Sequence, residues 1–158
     1  LSRRDGRPLL AFFHDVAWPS GRRDMYYCPE QIPAEFRHEH SFDAGAFPGH
    51  SELFDGRGFR GMGHFAWATH EGGPRNGVLT AIEDFTAEAL EEGREFPFAE
   101  IPAVFGLGIL FAMDAPWSQA VAQIVLPYHD NALIRRLEEN RLANYLTIIH
   151  AQDRARAA

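Results

Sequence analysis

The stretch Pro8–Pro19, PLLAFFHDVAWP, decides how the fold is read. Leu9 to Phe13 form an unbroken apolar run. That pattern predicts a strand covered on both faces in a mostly parallel sheet, not an alternating surface strand. Pro19, Ser20 and Gly21 end the run, and just before them stand two ionisable residues, His14 and Asp15. In open α/β sheets ligands bind beyond the carboxyl ends of the strands. An ionisable pair closing an apolar strand is costly unless it is paired or used. A carboxylate there can hold a divalent cation, and an imidazole beside it can serve as base or ligand. The plain alternative is that Asp15 caps a turn and His14 bonds a neighbouring loop.

Downstream of this strand, residues 20–76 carry no sustained period of 2 or 3.6, and turn signals such as Pro48-Gly49 and Asp55-Gly56 break them repeatedly. Only Glu30–His38 could hold a short helix. Long irregular stretches inside a compact domain are lids, binding loops or disorder. The aromatics here, from Tyr26 and Tyr27 to Phe65 and Trp67, argue against disorder. The stretch is therefore expected to be an ordered, loop-rich insertion. From Gly77 regularity returns, with Asn76 or Thr80 as helix cap, Leu79, Ile82, Phe85 and Ala89 on one face, and Gly93 as the stop. Phe96–Met113 reads as two short strands around a turn at Phe105-Gly106. Two helices close the chain. One lies near Ser118–Leu126; the other spans about Asn131–Gln152, capped by Asp130 or Asn131 and burying Leu133, Ile134, Leu137, Tyr145, Ile148 and Ile149. The tail Asp153–Ala158 is expected to fray.

The chain has 158 residues, enough for one domain that needs no disulfide or metal to fold. Its formal charge of −7 argues against a nonspecific grip on nucleic acid or acidic membranes. All fifteen basic residues are Arg. Cys28 is the one cysteine, so a reducing, cytoplasmic setting is expected. No apolar stretch approaches the ~20 residues of a membrane span. Leu1-Ser2-Arg3-Arg4 does not lead into a signal peptide, because the apolar run after it is short and ends in His-Asp.

Besides His14-Asp15, three groups of residues could carry chemistry. Arg22-Arg23-Asp24 with Tyr26 and Tyr27 could lie over the cleft and hold an anionic or sugar-like substrate by guanidinium forks and aromatic stacking, or could be an Arg–Asp surface pair over packed tyrosines. Of the insertion's histidines, His64 and His70 stand out, but their spacing matches no zinc motif. His70-Glu71-Gly72-Gly73 could let a ligand approach the backbone just before a helix N-terminus that would welcome an anion. Glu83-Asp84 reads as a solvated helix face, and Gly106-x-Gly108 lacks the third glycine of a dinucleotide fingerprint.

FFHDVAWPSGRRDMYY, then IPAEFRHEH, then HEGGPRNGVLTAIEDF and a Phe-Gly-Leu-Gly-Ile hairpin together resemble the C-terminal half of class I S-adenosylmethionine-dependent methyltransferases. The nearest group is the methyltransferase-24 type, akin to cephalosporin hydroxylase-like and macrolide-sugar O-methyltransferases. The resemblance implies the C-terminal portion of a Rossmann-like α/β sheet, with 8–19 as its fifth strand, 77–92 as the next helix and 98–111 as its antiparallel hairpin. It also implies methyl transfer to a small-molecule hydroxyl, of sugar or natural-product type. Asp15 stands at an acidic position that helps bind a divalent metal, usually Mg²⁺. His14 stands where relatives often carry another acid, although Mg²⁺ prefers oxygen ligands. His14, Asp15 and His70 are then candidate catalytic groups; Arg22, Arg23, Tyr26, Tyr27, His64 and Glu71 are candidate substrate contacts.

The family's glycine-rich loop for S-adenosylmethionine is not in this sequence. A complementing N-terminal half is therefore expected as a partner, with a homo-oligomer as the other option, and the missing initiator Met fits a fragment. The competing reading is a non-enzymatic module whose His/aromatic insertion binds a metal, a glycan or a protein. A third, a metal-dependent hydrolase, would need three of His14, Asp15, His64 and His70 to converge.

Overall fold

The computed structural model describes residues 7–157, so the signal-peptide reading of Leu1–Arg4 and the last residue of the tail lie outside the described residues. The elements in order are β1 (Leu10–His14), β2 (Met25–Tyr26), β3 (His40–Ser41), β4 (Ala44–Gly45), β5 (Phe54–Asp55), β6 (Ala66–Ala68), α1 (Val78–Glu91), β7 (Phe98–Ile101), β8 (Leu107–Phe111), α2 (Ser118–Val125) and α3 (Ala132–Ala157). They form three small sheets, ordered β1-β8-β7, β2-β6-β3 and β4-β5.

Every strand pair among the described residues is antiparallel, which overturns the expected Rossmann-like sheet with its parallel strand. β1 pairs with β8, in the register Leu10↔Phe111 to His14↔Leu107, and stands at the edge of its sheet. The apolar run could not reveal this, because an antiparallel edge strand packed from one face accepts the same residues as a buried parallel one. Exposure alternates along the strand: Leu10, Phe12 and His14 are exposed, while Ala11 and Phe13 are half-buried. Ala11 and Phe13 pack with Val16, Ile82 and Leu110 beneath α1. On the other face α2 contributes Val121, Ala122 and Val125 to a cluster with Ala99, Ile109 and Phe111. The β7–β8 turn latches onto the chain leaving β1, where Ala17 N–H donates to the Phe105 carbonyl at 2.7 Å.

Residues 20–76 hold five two- or three-residue strands and two 3-10 turns, Pro29–Gln31 and Ala34–Phe36. Phe59 is the hub that ties this insertion to the rest. Its ring lies 5.6–6.4 Å from those of Trp18, Phe65, Trp67, Phe105 and Tyr145, so one side chain joins the insertion, the hairpin turn and α3. Aromatic contacts of this kind supply energy beyond area burial, and they hold a segment with little regular hydrogen bonding.

α3 departs from its expected packing. Asn131 Oδ1 does cap it, accepting from the Leu133 and Ile134 N–H groups. Leu133, Leu137 and Ile148, expected in the core, are exposed instead. The reason is that α3 docks largely through polar ties. Glu138 accepts from Phe105 N–H, Arg141 lies over the Phe105 ring at 4.5 Å, and Asp153 accepts from Gly58 N–H and Arg60. The Asp153 ties also hold the segment expected to fray, which is helical as far as residue 157.

The start of α1 differs as well. Neither Asn76 nor Thr80 caps it; Gly77 precedes the first turn at φ 94°. A Cβ on Gly77 would sit 2.5 Å from both Arg23 N and the Gly21 carbonyl oxygen. Gly77→Ala is therefore expected to destabilise the fold by roughly 2–4 kcal/mol, through strain and backbone collision together. A urea titration would show a lower midpoint with an unchanged slope; an unchanged midpoint would mean that the junction is slack.

Candidate functional site

β1 delivers His14 and Asp15 to the rim of a cleft of about 390 Å³. His14, Asp15, Ser20, Arg23 and Asp24 form its polar side, and Phe12, Phe13, Met25 and Val78 its apolar side. An apolar groove of about 490 Å³ adjoins it, sharing Phe13, Asp24 and Val78 and running over Ile82, Phe85 and Leu110. A concave surface with apolar walls and a few converging polar groups is the usual form of a small-molecule site.

Asp15 turns left-handed as the chain leaves the strand, at φ 63°. Asp tolerates that region better than most residues. The turn brings its Oδ2 back to His14 Nδ1 at 2.8 Å. The His14 side chain is 88% exposed, so the ring faces solvent beyond that one bond.

Arg22-Arg23-Asp24 form a knot of which Arg23 and Asp24 line the cleft and Arg22, expected to contact substrate, does not. Arg22 forks onto Glu83 of α1, with Nη1 and Nη2 donating to the two carboxylate oxygens at 2.5 and 2.6 Å. Its Nη1 also reaches Thr80 Oγ1. Arg23 is 0% exposed. It donates to the Ala68 carbonyl at 2.5 Å and the Ser51 carbonyl at 2.6 Å, and lies 3.7 Å from the Glu71 carboxylate. Asp24 Oδ1 accepts from Gly77 N–H and Oδ2 from the Tyr26 hydroxyl, each at 2.8 Å. Buried Asn76 accepts from Asp24 N–H and donates to the His70 and Gly72 carbonyls. The insertion is thereby clamped to itself and to the start of α1.

Electrostatics follow from these partners. The Arg22 fork holds the Glu83 carboxyl below its ordinary value. Burial pulls the Arg23 guanidinium below its own, opposed by Glu71 and Glu52. Tyr26 is pushed up to about 12, chiefly by burial, with its hydrogen bond to Asp24 adding to the effect. A raised folded-state value means that the folded chain keeps the phenol proton after the unfolded chain has lost it. Stability is then intact below pH ~10 and falls between about 10 and 12, by an amount on the order of 2 kcal/mol. Tyr26→Phe is expected to flatten that stretch of the stability curve, checked by denaturation at stepped pH.

The other candidate residues are placed elsewhere. Tyr27 is exposed, its ring edge-on to Phe65. His64 is exposed in a turn, its N–H bonded to the Gly61 carbonyl. His70 is exposed and bonds Thr69 Oγ1, while Glu71 faces Arg23. None of these four lines the cleft. Asp24, expected over the cleft with the Arg pair, does line it, as do Ser20 and Met25, which the sequence had not singled out.

Two ligand expectations can be tested on the donors present. Among the described residues no three His, Cys, Asp or Glu side chains lie close enough to hold a metal ion, so the hydrolase constellation does not assemble. For Mg²⁺ the cleft offers Asp15, an imidazole, and an Asp24 whose two oxygens are both engaged, a set that does not fit a cation preferring six oxygens. The glycine-rich connection from β6 to α1 is not an anion cradle either. Gly72 N–H donates to the Arg22 carbonyl, Gly77 N–H to Asp24, and Val78 and Leu79 N–H to the Ser20 and Gly21 carbonyls. The helix N-terminus is already occupied by the protein's own oxygens. No helix among the described residues is long and apolar enough to cross a membrane. No family model, curated protein or solved structure matches the chain.

Proposed function

We propose that the chain is the acceptor-binding portion of an O-methyltransferase that uses S-adenosylmethionine and a small-molecule hydroxyl of sugar or natural-product type. The observation that carries this reading is the His14–Asp15 pair on the rim of a cleft lined by Phe12, Phe13, Met25 and Val78 together with Ser20, Arg23 and Asp24. Such a cleft can seat a ring against its apolar lining while a hydroxyl points at the pair. Methyl transfer needs little beyond alignment of donor and oxygen and a route for the hydroxyl proton, and those are the tasks this surface suits. The support is the run of motifs and the lining of the cleft on whose rim the pair stands.

S-adenosylmethionine, when bound, would supply the methyl group. Its cradle is assigned to no residue here, because the one glycine-rich strand-to-helix connection among the described residues has its amides engaged. A complementing half of the enzyme would hold it. Calorimetric titration of S-adenosylmethionine tests the reading. Heat of binding is expected for this chain together with a cofactor-binding half encoded beside it, and none for this chain alone. Absence of binding in both preparations would overturn the proposal.

A further inference from the structure

We infer that His14 and Asp15 act as a metal-independent dyad, in which Asp15 is the positioning residue that fixes the His14 tautomer and His14 Nε2 takes the proton of a ligand hydroxyl. The role of that hydroxyl as methyl acceptor rests on the proposed function; the tautomer and the absence of a metal do not.

Three observations carry it. The carboxylate of Asp15 can only accept a hydrogen bond, so the 2.8 Å contact makes His14 Nδ1 the protonated nitrogen and leaves the Nε2 lone pair free. The left-handed backbone at Asp15 is what turns its side chain back onto the residue before it, so the contact is built into the chain path. Asp24, the other carboxylate on the cleft, already accepts one hydrogen bond on each oxygen, from Tyr26 and Gly77, which makes it a poorer second oxygen ligand. A carboxylate holding one nitrogen of an imidazole on the cleft rim, with the other open to solvent, is the arrangement of a base and its orienting group. In the step itself, the O–H bond of the ligand breaks, its electron pair stays on oxygen, and the proton moves to Nε2. The exposed ring can then release that proton to water.

Long-range ¹⁵N–¹H correlation spectra of the full chain, above the pH at which its imidazoles are neutral, test this directly. The His14 resonances are expected to show the Nδ1–H form. Asp15→Gly keeps the positive φ that glycine prefers, removes the carboxylate, and is expected to shift His14 toward the Nε2–H form that free imidazole favours. An Nε2–H form in the unmodified chain, or spectra indifferent to Asp15→Gly, would overturn the dyad. Mn²⁺ titrated into the same sample is the second arm. Unselective line broadening is expected, and selective loss of the His14 and Asp15 signals would put a metal where the dyad excludes one. Neither arm uses S-adenosylmethionine, so an intact dyad without methyl transfer would count against the proposed function alone. Methyl transfer with a metal-bound pair would count against the dyad alone.

Discussion

Arg23→Ala is expected to lower the thermal midpoint of the chain by roughly 10 °C, given a cost of about 3–5 kcal/mol and a few degrees per kcal/mol at this size. Arg23 is wholly buried, and its guanidinium serves two carbonyls from different parts of the insertion, Ala68 at the end of β6 and Ser51 in the loop before β5. Truncation removes a donor from both oxygens, leaving the Ser51 carbonyl only its bond from Glu71 N–H, and takes away the cation 3.7 Å from the Glu71 carboxylate. Arg23→Lys is expected to recover only part of the loss, because one ammonium cannot span both carbonyls as the planar fork does. Differential scanning calorimetry reads both variants. A shift of about 2 °C or less for Arg23→Ala would mean that the insertion is held by its aromatic hub instead.

Asp24→Ala is the second large effect, expected at about 3–4 kcal/mol, since hydrogen bonds to charged groups contribute ~1.5–3 kcal/mol each. Two donors lose their acceptor at once: Gly77 N–H at the head of α1 and the Tyr26 hydroxyl inside the insertion. Asp24→Asn keeps one carbonyl oxygen and is expected to cost about half as much. Hydrogen exchange distinguishes a local from a global consequence. Amides of Val78 and Leu79, which donate to Ser20 and Gly21, should lose protection before those of the β7–β8 hairpin. Equal loss in both regions would show that the clamp and the sheet unfold as one unit.

How much of this was legible in the sequence depends on the range of the interaction. The start of β1, the ordered insertion, the helix stop at Gly93 and the turn at Phe105-Gly106 are local signals, and each has a counterpart in the structure. Partner choice is not local. Leu9–Phe13 suits either strand direction, and only the arrival of β8 alongside it decides the pairing as antiparallel. Caps failed for a related reason. Asn76 and Thr80 have the right chemistry for a helix start, but Asp24 and Arg22, more than fifty residues earlier, take them first.

The site divides along the same line. His14 and Asp15 are sequence neighbours at a strand end, so their meeting could be read from the chain. Arg22 and Arg23 offered free forks on paper, and Glu83 and the carbonyls of Ala68 and Ser51 now engage them. Asp24 does line the cleft, as expected of its group, but the bonds from Gly77 and Tyr26 that hold it there come from folding and no motif announced them.

Under the proposed function the strand-end pair, not the histidines of the insertion, carries the chemistry. The most direct measurement is transfer of a deuterated methyl group from S-adenosylmethionine to hydroxylated acceptors, followed by mass spectrometry, with this chain and its complementing half present. Labelled product is expected from the unmodified protein and from His64→Ala and His70→Ala. His14→Ala is expected to reduce its rate about 10²–10⁴-fold, the range of a lost general base. A His14→Ala protein that transfers methyl as fast as the unmodified one, or a His70→Ala protein that loses the activity instead, would contradict the claim.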